Sequence, residues 1–183
     1  MMNAKVLGST KKQEIPRLAK VPSPIDVDAL FRNLTEKEGS VRYNAFLILQ
    51  ELSRQSPIVY GYWDELEKKL QSPNSYQRNI GLGLISENVR WDNEDKFDKT
   101  FDRYILHCTD EKFITSRQAI QGLNNVTHSM GKYDKRIQQA LNRLSFKKYN
   151  IGQQKLLRKD VSDVLDAIGR KNESKQGSES EKK

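Results

Sequence analysis

The chain has one cysteine, Cys108, among 183 residues. An intramolecular disulfide needs two and a paired-cysteine zinc site needs more, so both are excluded and a reducing compartment is the expected setting. Proline occurs five times, and between residues 25 and 170 only at Pro57 and Pro73. Both stand where the apolar pattern pauses, as loop or helix-start residues do. No apolar run approaches the ~20 residues of a membrane-spanning helix. Lys5, Lys11, Lys12, Arg17 and Lys20 interrupt any signal-peptide core. The expectation is a soluble, cytoplasmic protein. Histidine occurs twice, far apart. His107 and Cys108 are the one nucleophile–base neighbour pair, and adjacent helical residues do not face each other. Cys108 therefore reads as a packed thiol, and no metal set or cofactor site is expected. Asp92, Glu94, Asp95 and Asp98 lack the glycine and the final glutamate of a calcium loop. They read as a negatively charged helix start.

Basic residues number 32 and acidic residues 24, a net charge of +8. Residues 1–24 hold five basic residues and one acid; residues 171–183 hold four and three. The remaining 23 basic and 20 acidic residues leave residues 25–170 nearly balanced. Residues 1–24 contain Pro16, Pro22 and Pro24 and no sustained periodicity, and residues 171–183 beyond Lys171 carry no apolar side chain. Both read as disordered, a basic leader and a polar tail. Ile15, Leu18 and Val21 recur at a spacing that would let the leader cover an open end of the body.

The body, residues 25–170, reads as all-α. Val59, Trp63, Leu66 and Leu70 step by four, three and four, which places Trp63 in the core. The sets Phe97–Phe101–Tyr104–Ile105–Cys108, Tyr133–Ile137–Ala140–Leu141–Leu144 and Leu157–Val161–Val164–Leu165–Ile168 share that period. A period near 3.6 sustained over three turns is an amphipathic helix. Helices are expected over 26–34, 40–54, 58–70, 75–89, 95–108, 113–129, 134–144 and 151–168. The pattern also recurs. Leu34, Leu70, Cys108 and Leu144 each close a periodic segment before a polar turn, and three of the following helices open with Arg42, Arg78 and Arg117. Ala45, Gly81 and Ala119 sit two or three residues later. Two helices per unit of fewer than forty residues is the mark of a helical solenoid.

The turn followed by Ser40-Val41-Arg42-Tyr43-Asn44-Ala45 resembles the HEAT repeat, over roughly residues 26–168. More narrowly, Tyr60–Leu66, Ser72–Leu84, Asn88–Asp98 and Asp110–Gln118 are similar to small bacterial HEAT-like proteins, some labelled iron–sulfur assembly factors. With one cysteine, this chain cannot ligate a cluster alone. The resemblance implies a right-handed superhelical array of antiparallel helix pairs, about four units long. It implies no enzymatic activity and a binding or scaffolding module that takes another protein on its concave face. Arg42, Arg78 and Arg117 are the first candidate binding residues, as a ladder along one surface or as partners of acids in the neighbouring unit. The alternative is nucleic-acid binding, including a HEAT-like alkylbase DNA glycosylase. That class implies aromatics facing DNA and a carboxylate beside the excised base, and Arg90, Trp91 and Asp92 are the set with those groups. A membrane role and a small-molecule substrate are not expected.

Overall fold

The computed structural model describes residues 2–20 and 24–180. Those residues form ten α-helices and five short 3-10 turns, with no strand. Two compact units divide the chain, Met1–Phe97 and Asp98–Lys183. The first contains α1 (Ala4–Ser9), α2 (Ile15–Leu18), α3 (Pro24–Asn33), α4 (Gly39–Gln55), α5 (Trp63–Leu70) and α6 (Ser75–Asn88). Helix α7 (Lys96–Leu106) begins at its end and runs on into the second, which contains α8 (Phe113–Ser129), α9 (Asp134–Leu141) and α10 (Ile151–Ser180).

In the first unit α3 packs on α4, α5 on α6, and α4 on α6. The apolar stripe of α5 explains its pairing: Trp63, Leu66 and Leu70 are all buried. Helix α6 is enclosed on nearly every side, from Ile80 to Asn88 without a break. A side chain at its Gly81 would not fit, because a Cβ there would stand 2.9 Å from the Leu66 carbonyl oxygen. Glycine costs ~1 kcal/mol relative to alanine inside a helix, and the close approach of α5 offsets it. In the second unit α8 packs on α10, with Ala119, Ile120, Leu123, Leu157 and Val164 buried.

The expected helices are present, with differences at their ends. Residues 58–62 are a 3-10 turn rather than the first turn of α5. Helix α9 stops at Leu141 instead of 144, where Arg143 and Leu144 close i→i−3 turns on Ala140 and Leu141. Helix α10 continues from the expected 168 to Ser180, although no described side chain beyond Ile168 is buried. The backbone of 171–180 is therefore helical where composition reads a disordered tail. The last three residues of that tail lie outside the described residues.

The leader differs more. Composition assigns residues 1–24 to disorder, but residues 4–18 hold α1, a 3-10 turn and α2. Three apolar residues account for this: Leu7, Ile15 and Ala19 are buried, and α1 and α2 both pack on α4. The Asn44 amide of α4 donates to the Leu7 and Thr10 carbonyls at 2.8 and 2.9 Å. Asn3 caps α1 through the Val6 amide. Ile15 is thus buried, Leu18 is half-buried, and Val21 lies outside the described residues, as does Pro22.

Candidate functional site

The three arginines do not share one role. Arg42 is the fourth residue of α4, and its Nη1 donates to the Glu36 and Lys37 carbonyls at 2.6 and 2.7 Å. Arg78 is the fourth residue of α6, and its Nη1 donates to the Ser72 and Pro73 carbonyls at 2.9 and 3.0 Å. Each guanidinium thus ties down the turn before its own helix, reaching carbonyls five and six residues back. The fourth residue of α8 is Ser116, not Arg117, and Ser116 Oγ donates to the Asp110 carbonyl six residues back at 3.3 Å. The fourth residue of α10, Gln154, donates to the Tyr149 carbonyl five residues back at 2.8 Å. Arg117, the fifth residue of α8, thus does not stand where Arg42 and Arg78 stand in α4 and α6. With Ser116 in that place, Ala119 falls three residues later, as Ala45 and Gly81 do. Arg117 instead forms a two-pronged pair with the buried Asp160 of α10, at 2.6 and 2.9 Å. Gln121 adds a third hydrogen bond to that carboxylate at 3.0 Å. The bond to Asp160 raises the Arg117 pKa above its ordinary value.

Arg90, Trp91 and Asp92 are together in space but turned to structural work. Asp92 is 2% exposed. Its carboxylate accepts the Lys96 and Phe97 amides at 2.9 and 2.8 Å, and the Tyr60 hydroxyl at 2.9 Å. It fixes the start of α7 beside Asp95, the one described non-glycine residue with positive φ, 55°. Trp91 is half-buried and donates its indole N–H to the Ser53 carbonyl at 2.7 Å. Arg90 pairs with Glu87 at 3.2 Å. Sequence reasoning missed Glu87, which is 2% exposed and also bound by Arg54 at 2.9 Å. Its signal is the acid between the apolar pair Leu84-Ile85 and Val89.

His107 Nδ1 lies 2.9 Å from the Asp110 carboxylate, while Cys108 points into the core. Burial pushes the Cys108 thiol up to about 12, far from the thiolate that nucleophilic catalysis needs. His128 bonds the Asn124 carbonyl at 2.6 Å near the end of α8. Among the described residues no three His, Cys, Asp or Glu side chains gather as metal ligands. No helix there is long and apolar enough to cross a membrane.

An open groove of about 840 Å³ lies in the first unit. Its walls are the α3–α4 turn, one face of α5 and the start of α6, with Glu36, Arg42, Lys68, Lys69, Ser72 and Tyr76 among the lining residues. Arg42 lies over the Tyr76 ring at 5.0 Å. The Tyr76 hydroxyl is buried with no hydrogen-bond partner, and burial raises its pKa. Lys69 is half-buried and donates to Gln77 Oε1 at 2.7 Å, while Gln77 donates to the Leu34 carbonyl at 2.7 Å. Burial lowers the Lys69 pKa, against a weaker opposing pull from Glu65. Lys68 is exposed beside it. Three cationic groups and two acids, Glu36 and Glu65, thus line one concave surface, and none of the cations bonds a carboxylate among the described residues. Of these residues sequence reasoning singled out Arg42 alone. Lys69 was legible, since it falls three residues after buried Leu66 at the edge of the apolar stripe. Comparisons with protein-family models, with curated proteins and with solved structures return no match.

Proposed function

We propose that the chain is a non-catalytic, HEAT-like helical-repeat module that binds another protein, and that the groove at Arg42, Lys68 and Lys69 receives an acidic stretch of that partner. The observation that carries this reading is the half-buried Lys69, which has an amide oxygen as its hydrogen-bond acceptor and a lowered pKa. A carboxylate placed there would pair with the Lys69 ammonium and offset the cost of its burial. Ser72, Asn74 and Gln77 on the same walls supply neutral donors and acceptors suited to a backbone. The repeat reading is supported by the turn-tying residues Arg42, Arg78, Ser116 and Gln154, which recur at steps of 36, 38 and 38 and bond carbonyls five or six residues back. A buried, unreactive thiol suits such a module to a reducing cytoplasm. The glycosylase alternative gains no support from Arg90, Trp91 and Asp92, because Asp92 is engaged in capping α7.

A display selection of random twelve-residue peptides against the full chain tests this reading. Selected peptides should be enriched in Asp and Glu and should lose binding to a Lys69→Glu, Arg42→Glu variant. Equal binding to that variant, or selection without acidic enrichment, contradicts it.

A further inference from the structure

We propose that the α9–α10 connection and the first turns of α10 form a docking surface for the sugar–phosphate backbone of duplex nucleic acid, separate from the groove of the first unit. The charge of the chain divides unevenly at Phe97. Residues 1–97 hold 14 basic and 13 acidic residues, and residues 98–183 hold 18 and 11. Within the second unit the imbalance is local. Residues 142–159 carry Arg143, Lys147, Lys148, Lys155, Arg158 and Lys159 and no acid. Lys159 pairs with Asp163 at 2.6 Å, and Lys148 is held by the Thr109 carbonyl and the Tyr149 ring. Arg143, Lys147, Lys155 and Arg158 are exposed, and none of them has a hydrogen-bond or ion-pair partner among the described residues. Helix α10 has no acidic residue in its first turn. Lys155 and Arg158 share its solvent face with Ile151, opposite the buried Leu157, Asp160 and Val164.

The surroundings of these four cations select the partner. Phe146 and Tyr149, the aromatic residues of this stretch, are 4% and 7% exposed, so no platform exists for stacking unpaired bases. Backbone contacts to a duplex need only cations and neutral donors, and exposed Asn142 and Ser145 add the latter. Ile151 and Leu156 are the exposed apolar side chains, at 74% and 42%. Five residues apart, they point about 140° from each other around the helix. They do not form the continuous apolar face of a membrane-surface helix.

Four unpartnered cations predict four released counterions, a log–log salt slope of about −3.6, and a loss of affinity of about 150-fold between 50 and 200 mM salt. The test is fluorescence anisotropy of the full chain with a random-sequence 20-base-pair duplex across a salt series. A second duplex of unrelated sequence should bind within about twofold, since phosphate contacts carry no sequence information. Lys155→Ala and Arg158→Ala should each flatten the slope by about 0.9, and the quadruple variant with Arg143→Ala and Lys147→Ala should abolish binding while its circular dichroism melt is unchanged. Lys5→Ala, Lys11→Ala and Lys12→Ala together should leave the slope intact. The proposal is overturned if the chain does not bind the duplex, if the N-terminal variant rather than the α10 variants flattens the slope, or if vesicles with an anionic headgroup bind and the duplex does not.

Discussion

At the residue scale the second unit depends on how Arg117 and Asp160 divide their exposure. Asp160 is 4% exposed on its side chain and Arg117 30%. Removing the arginine leaves a buried carboxylate with Gln121 as its remaining side-chain partner; removing the aspartate leaves a guanidinium that water reaches. Arg117→Ala should therefore cost about 2–3 kcal/mol, less than the 3–5 of a fully buried pair, and Asp160→Ala should cost less. Urea unfolding of both variants checks the order, and the reverse order would contradict the assignment. Lys69 is the complementary case in the first unit. Its folded pKa lies below the ordinary 10.5 through burial, so the folded state binds its proton less tightly than the unfolded state. That penalty is complete below the folded pKa and fades as pH rises towards 10.5. Lys69→Met should melt no lower than the parent at pH 7, and its advantage should shrink at pH 10. Cys108 should resist a thiol-specific disulfide reagent in the native chain and react on unfolding, because burial holds its pKa near 12. The packed thiol was legible from its place in the apolar stripe. The true partner of Arg117 was not, because Asp160 lies 43 residues away and nothing local marks it.

At the scale of elements, periodicity located helices such as α5, which buries one stripe, while α6 is enclosed all round. Their ends were less legible, since 3-10 turns at 57–62, 107–109 and 131–133 continue the apolar spacing without the α-helical hydrogen bonds. Arg117 was grouped with Arg42 and Arg78 because residue type was matched ahead of position within the helix. Helix α8 places a serine where α4 and α6 place arginine, and the arginine beside it serves a different partner. Gly81 shows how packing can reverse a helix preference. Propensity alone predicts that Gly81→Ala stabilises α6 by ~1 kcal/mol. The 2.9 Å approach of Leu66 O and the 3.1 Å approach of Lys69 Cβ predict overpacking instead, typically about 1–3 kcal/mol. The variant should unfold at lower denaturant than the parent, and a gain in stability would contradict the close packing of α5 on α6.

At the scale of the whole molecule, composition misassigned the N-terminal residues. Their charge and prolines read as disorder, but three apolar residues and the Asn44 amide secure them to α4. Deleting residues 1–20 should lower stability by more than about 1 kcal/mol, the size of a named structural loss; an unchanged melt would contradict that docking. Charge was only partly legible at this scale. A body balanced in total conceals a first unit near neutrality and a basic second unit, visible only once the boundary at Phe97 is known. The groove was less legible still, because Thr35, Arg42, Lys69 and Tyr76 come from four segments whose meeting no local pattern announces. The central claim is that this groove holds an acidic segment of a protein partner. Hydrogen exchange of the full chain, with and without an acidic peptide obtained by display, tests it most directly. Slowed exchange confined to residues 35–42 and 65–77, lost with Lys69→Glu, is the predicted result; protection centred on residues 143–159, or none anywhere, would contradict it.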